Sequence, residues 1–161
     1  MTRVLLVTGS RSLALHPGAE AWARGLIHAA LVGTDLLIVG DADGPDAWAV
    51  HEGASIVHDE VHVYLTRGRD AGWIISPDED GEASYHGRWG RAGETHPLQR
   101  NAAMVRAAAA RAAIGHDVRC LALLDGTKRD APGRRATRGT EHTAGLAERA
   151  GIAVQREAWN G

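Results

Sequence analysis

The sequence has little cysteine, no phenylalanine and no long apolar segment. Its 161 residues include one cysteine, Cys120, so a disulfide within the chain is excluded. No apolar run approaches the roughly 18 residues that a membrane span needs, and the run before Gly9 is too short for the apolar core of a signal peptide. We therefore expect a soluble, cytoplasmic protein that does not enter a membrane.

An excess of positive charge is also absent. The net charge is −2 and the isoelectric point is near 6.5, which gives no reason to expect nonspecific binding to DNA. Nine histidines occur, but neither the HExxH nor the CxxC spacing is present, and we expect no metal and no cofactor. The turn after the first apolar run is neither a GxxxxGKS/T phosphate loop nor a GxGxxG dinucleotide fingerprint.

Short apolar runs alternate with helical patterns along the chain. The runs cover residues 4–7, 36–39, 61–64 and 121–124, and such continuous apolar runs are typical of strands buried on both faces of a parallel sheet. Spacing and composition predict helices at residues 20–31, 45–52, 101–113 and 140–150, and a fifth strand at 152–154. This alternation predicts a single α/β domain over residues 1–161 with a parallel sheet.

Two segments lack this alternation. Residues 66–97 are polar and punctuated by glycine, which predicts a long loop insertion that is either a functional lid or disordered. Trp73 and Trp89 in this loop could stack on a base or pin the loop to the domain. Residues 125–138 are rich in Lys, Arg, Asp and Pro, and we predict a second flexible segment there.

Polar residues directly follow the predicted strands, where parallel α/β sheets bind their ligands. The turn that leads to Asp46 could aim the backbone at an anion or simply join a strand to a helix. Arg100 could bind a phosphate or a carboxylate through two donors of its guanidinium, or be solvated. Thr140 could bind phosphate or cap a helix. The candidate ligand-binding residues are Gly9, Ser10, Arg11, Gly40, Asp41, Ala42, Gly44, Asp46, Arg100, Asn101, Gly139 and Thr140.

Four segments, in order along nearly the whole chain, resemble one known group of proteins. They are VTGSR at residues 7–11, GDADGPDA at 40–47, WGRAG at 89–93 with RNAAMV at 100–105, and GT at 139–140 with AERAGI at 147–152. Together they resemble the SLOG superfamily, and within it the small bacterial and phage branch of YspA-like proteins. The resemblance implies a Rossmann-like three-layer α/β sandwich, with a mostly parallel central sheet and helices on both faces.

The resemblance also implies a nucleotide-derived ligand at the strand ends. The Lonely Guy-type phosphoribohydrolases of the superfamily use an Arg and a Glu for catalysis, which makes Arg100 and Glu141 the candidate catalytic residues. The position of the family's glutamate falls on Thr143 here, and Glu141 lies two residues earlier, about 200° around a helix. By analogy with the superfamily we expect a homodimer.

Three functions remain open from the sequence. The first is binding of a ligand such as ADP-ribose, NAD or a nucleoside monophosphate by a sensor or sequestering protein. The second is hydrolysis of an N-glycosidic bond, with Glu141 or Asp46 as the carboxylate and Arg100 on the phosphate. The third is single-stranded nucleic-acid binding, as in DprA, which the net charge disfavours. Its candidate residues are Arg67, Arg69, Arg88, Arg91, Trp73 and Trp89.

Overall fold

The computed structural model describes residues 1–66, 72–77, 83–89, 97–128 and 138–161. The strands in these ranges are β1 (Arg3–Gly9), β2 (Leu36–Gly40), β3 (Glu60–Tyr64), β4 (Gly72–Pro77), β5 (Ala83–Trp89), β6 (Asp117–Asp125) and β7 (Ala153–Trp159). The α-helices are α1 (Ala19–Leu31), α2 (Pro45–Ile56), α3 (Pro97–Ala113) and α4 (Arg138–Arg149). A 3₁₀ helix spans Arg11–Leu15. Within the described ranges, no helix is long and apolar enough to cross a bilayer.

These strands form one mixed sheet in the order β5-β4-β3-β2-β1-β6-β7. All neighbouring pairs from β3 to β7 in this order are parallel, whereas β4 is antiparallel to both β3 and β5. The predicted α/β class and the Rossmann-like, mostly parallel sheet are therefore confirmed. Chain order reverses between β1 and β6, and this switch point is where such sheets bind ligands.

Helices cover both faces of the sheet, which explains why the central strands are apolar throughout. Leu5 and Val7 of β1 pack in the layer formed with α1 and α2. Val4 and Leu6, which point to the opposite face, pack in the layer formed with α3 and α4. Since successive side chains of a strand alternate between faces, a strand between two helical layers needs apolar residues at every position.

The segment around residues 66–97 contains more regular structure than the predicted loop, because β4 and β5 extend the sheet beyond β3. Ile75 of β4 is buried and pairs with Val61 of β3. The sequence does not indicate β4, because the apolar run around Ile75 is short. The strand forms through its pairing with β3, which depends on tertiary context. The rest of the predicted lid, with Arg67, Arg69 and Arg91, lies outside the described residues. Trp73, Arg88 and Trp89 belong to β4 and β5, and only their backbone is described.

Two other predicted boundaries change. The helix predicted at residues 101–113 begins at Pro97, where a residue without an N–H loses no hydrogen bond because the first helical N–H groups have no partner within the helix. In the predicted flexible segment at residues 125–138, Asp125 ends β6, residues 126–128 form a turn and α4 begins at Arg138. The residues between 128 and 138 are outside the described ranges.

Candidate functional site

A cavity of about 260 Å³ lies at the carboxyl ends of β1 and β6, at the switch point of the sheet. Most of the candidate ligand-binding residues line it, although they come from distant parts of the sequence. Those in the wall are Gly9, Ser10, Arg11, Ala42, Asp46, Arg100, Asn101, Gly139 and Thr140. The other three candidates, Gly40, Asp41 and Gly44, are not in the wall. The structure thus brings the predicted residues to one place, and their contact with a ligand stays a prediction.

Two kinds of positive charge lie in the wall of the cavity. Residues of the first turns of α2, α3 and α4 line it, namely Asp46, Arg100 and Thr140. Helix N-termini carry N–H groups without helical partners and a partial positive charge. The exposed cationic side chains of Arg11 and Lys128 belong to the same wall. An anion at this place would meet both kinds of positive charge.

Arg100 is buried and already engaged inside the protein. Its Nη1 donates to Asp41 Oδ1 at 2.6 Å and lies 3.8 Å from Asp46 Oδ2. Its Nε and Nη2 both donate to Asn101 Oδ1, at 3.0 and 2.9 Å. Most of its donors are therefore in use within the protein, and the contact of Arg100 with a phosphate stays a prediction.

Asp41 joins Arg100 to the segment that follows β3. Besides Arg100, its carboxylate accepts hydrogen bonds from the backbone N–H of Thr66 at 3.1 Å and from the Thr66 hydroxyl. The candidate residue Asp41 therefore acts in the structure as a partner of Arg100 and not as part of the cavity wall.

Asp46 supplies the carboxyl group of the wall. The residue is buried, and its Oδ2 accepts a hydrogen bond from the backbone N–H of Ala42 at 3.2 Å. Burial raises the pKa of Asp46 to about 6, although the charge of Arg100 acts to lower it. A carboxyl group with this pKa can hold or release a proton near neutral pH, so it could accept a ligand donor or take part in acid–base chemistry.

Two of the predicted site glycines are required by packing. A Cβ atom on Gly9 would lie 2.4 Å from Cβ of Pro45, at the start of α2. A Cβ atom on Gly40 would lie 2.5 Å from Asp46 Oδ2 and 2.6 Å from Arg100 Nη1. Both glycines therefore let the groups around the cavity approach the strand ends closely. Gly44 precedes α2 with a φ of 78°, a conformation that favours glycine.

Glu141, predicted as a catalytic residue, is not in the cavity wall. Its Oε1 lies 3.4 Å from Nε of Arg156 on β7, and its side chain is partly exposed. The physical reason is helical periodicity, since Thr140 faces the cavity and the next residue projects about 100° away. Thr143, at the family's glutamate position, is buried, and its hydroxyl donates to the carbonyl of Gly139.

Sequence reasoning missed a polar cluster beside the cavity. Asp125, at the end of β6, is buried and accepts hydrogen bonds from Ser12 and Thr127, and His16 Nε2 lies 2.8 Å from its carboxylate. These bonds lower the pKa of Asp125 to about 2 against the opposing effect of burial. A signal for this cluster in the sequence is the carboxylate of Asp125 directly after an apolar run. The Lys, Arg, Asp and Pro content of residues 125–138 predicts a flexible segment instead. Among the described residues, no group of three or more His, Cys, Asp or Glu side chains is placed to hold a metal.

We compared the chain with models of protein families, with curated proteins and with solved structures, and found no match in any of the three. The Rossmann-like topology is established by the sheet order and by the direction of its strands. Membership of the SLOG superfamily stays a prediction that rests on the sequence motifs.

Proposed function

We propose that this chain binds a nucleotide or a nucleotide-derived molecule, of the ADP-ribose, NAD or nucleoside monophosphate type, in the cavity at the switch point. The observation that carries the proposal is the convergence of three helix N-termini and two exposed cations on one cavity. Helix N-termini and basic side chains together are a common way to hold a phosphate group. A sensor or a sequestering protein would need only this binding step.

Different residues of the wall suit different parts of such a ligand. The phosphate is suited to the positive groups of the wall. These are the exposed side chains of Arg11 and Lys128 and the partly positive first turn of α4 at Thr140. Asp46 suits ribose hydroxyls or base N–H groups, which can donate to its carboxylate. A ligand with a phosphate at one end and hydroxyl or amine donors at the other therefore complements the wall better than a simple anion.

A ligand panel tests this proposal. We expect the melting temperature to rise with AMP, ADP-ribose or NAD, since a ligand that binds only the folded state stabilises it. The rise should shrink strongly in Arg11→Ala. The matched control is Arg119→Ala, because Arg119 is an exposed arginine whose ion pair is with Asp117, outside the cavity wall. Absence of a shift with all three ligands would overturn the proposal.

The second candidate function is N-glycosidic hydrolysis, which the buried carboxyl of Asp46 in the cavity wall favours. In this reaction the C1′–N bond breaks, a water oxygen bonds to C1′, and the base leaves with a proton. A carboxyl with a pKa of about 6 could handle the proton or stabilise the positive charge at C1′. Adenine release from AMP should then be lost in Asp46→Asn and unchanged in Glu141→Gln. A protein that binds AMP without releasing adenine is a binding protein only.

A further inference from the structure

The turn after β6 carries one of the two exposed cations of the cavity wall, and a buried carboxylate holds the turn. Asp125 ends β6, and its side chain is fully shielded from solvent. Its Oδ1 accepts hydrogen bonds from the backbone N–H of Thr127 at 3.0 Å and from the Thr127 hydroxyl at 2.6 Å. Lys128 follows directly in the chain and is a residue of the wall.

The other oxygen of the same carboxylate holds the segment after β1. The Ser12 hydroxyl donates to Asp125 Oδ2 at 2.6 Å, and His16 Nε2 lies 2.8 Å from that oxygen. Ser12 is adjacent to Arg11, the second exposed cation of the wall. One buried carboxylate therefore joins the two segments that present positive charge to the cavity.

The turn is exposed, and its backbone is also hydrogen-bonded to the end of β7. The N–H of Gly126 donates to the carbonyl of Trp159 at 2.8 Å. A Cβ atom on Gly126 would lie 2.9 Å from that same oxygen, so β7 lies against the turn. Hydrogen bonds to Trp159 and Asp125 thus fix Gly126 and Thr127, so the backbone that leads into Lys128 has a defined position.

We propose that Asp125 is a positioning residue that holds Lys128 at the cavity through the bonds to Thr127. This proposal rests on the proposed binding of an anionic ligand. Asp125 and Thr127 are not in the cavity wall, whereas Lys128 is. Any effect of the uncharged Thr127 side chain on affinity must therefore pass through a neighbouring residue. The same hydrogen bonds lower the pKa of Asp125, so its carboxylate is ionised at neutral pH and remains an acceptor for Thr127 there.

A double-mutant cycle separates positioning from general structural support. Thr127→Val removes the hydroxyl with little change of shape, and Lys128→Met removes the charge. If Thr127 acts through Lys128, Thr127→Val should raise the dissociation constant about fivefold in the unaltered protein and less than about twofold in the Lys128→Met background, since residues that act through one another are not additive. Thr127→Ser, which keeps the hydroxyl, should bind as the unaltered protein does.

The titrations use AMP, ADP-ribose and NAD, with the free energy of unfolding of each variant measured in urea. Thr127→Val should lower this free energy equally in both backgrounds, whereas its effect on binding depends on Lys128. Equal losses of affinity in both backgrounds would overturn the positioning role, and so would unchanged binding in Thr127→Val. An unaltered protein that binds none of the three ligands would instead overturn the proposed function.

Discussion

At the scale of single residues, the cavity combines a carboxyl group whose pKa is raised by burial with an arginine that is already paired. Asp46 and Asp41 share the guanidinium of Arg100, and Asp41 makes the shorter contact, at 2.6 Å against 3.8 Å. Asp46 is left with incomplete compensation for its burial, which is the reason for its raised pKa. Such a residue costs stability at neutral pH and is a common feature of functional sites.

The raised pKa of Asp46 makes a prediction about stability. A folded-state pKa above the unfolded value means that the folded protein binds the proton more tightly, so this residue's contribution is fully present below about pH 4 and is lost as pH rises through about 6. Asp46→Asn mimics the protonated form. We therefore expect the variant to exceed the unaltered protein in free energy of unfolding by about 3 kcal/mol at pH 8, because the pKa rises from 3.8 to about 6 and each tenfold change in proton affinity corresponds to about 1.36 kcal/mol.

Urea denaturation at several pH values measures this difference. The same pair of proteins at pH 4 is the control, because the folded state of both carries an uncharged side chain at residue 46 there and the difference should fall below about 1 kcal/mol. A difference that is constant from pH 4 to pH 8 would show that burial of this carboxyl does not cost stability.

At the scale of secondary-structure elements, the position of α2 depends on a close approach to β1. Pro45, at the first turn of α2, occupies the space where a side chain on Gly9 would be. The contact brings the N-terminus of α2, with Asp46, against the strand end. Because the neighbour is a proline ring within a helix, it can move only if the helix moves with it.

Gly9→Ala should therefore destabilise the protein, by about 1 to 3 kcal/mol as is usual when a core is overpacked. Gly25→Ala is the matched control, because Gly25 lies within α1 and a Cβ there meets nothing within 4 Å. The control should be stabilised by about 0.5 to 1 kcal/mol, since alanine is the better helix former. Urea denaturation measures both. A Gly9→Ala variant as stable as the unaltered protein would contradict the packing argument.

At the scale of the whole molecule, the parallel centre of the sheet could be predicted from sequence, but its antiparallel edge could not. Strands β1 and β2 lie between two helical layers, and their continuous apolar runs follow from burial on both faces. Strands β4 and β5 lie at one edge. Their hydrogen bonds come from neighbouring strands, and their sequences carry no comparable periodicity.

Some contacts of the candidate site could likewise be predicted from the sequence, and others could not. Ser10, Ala42 and Thr140 could be predicted to meet, because the carboxyl ends of parallel strands lie on one edge of the sheet. The pairing of Arg100 with Asp41 and the pairing of Glu141 with Arg156 depend on side-chain directions in three dimensions. The cluster around Asp125 joins residues more than 100 positions apart. A local sequence pattern does not predict such contacts.

The most direct test of the central claim, that the switch-point cavity binds a nucleotide, is an AMP titration of the ¹⁵N-labelled protein followed by NMR. We predict that the amide signals that move most belong to the carboxyl edge of the sheet, at Ser10, Ala42 and Thr140. The signals of amides at the amino ends of the strands, such as those of Asp35 and Asp117, should not move. Shifts confined to the amino ends, or no shifts with AMP, ADP-ribose or NAD, would contradict the account.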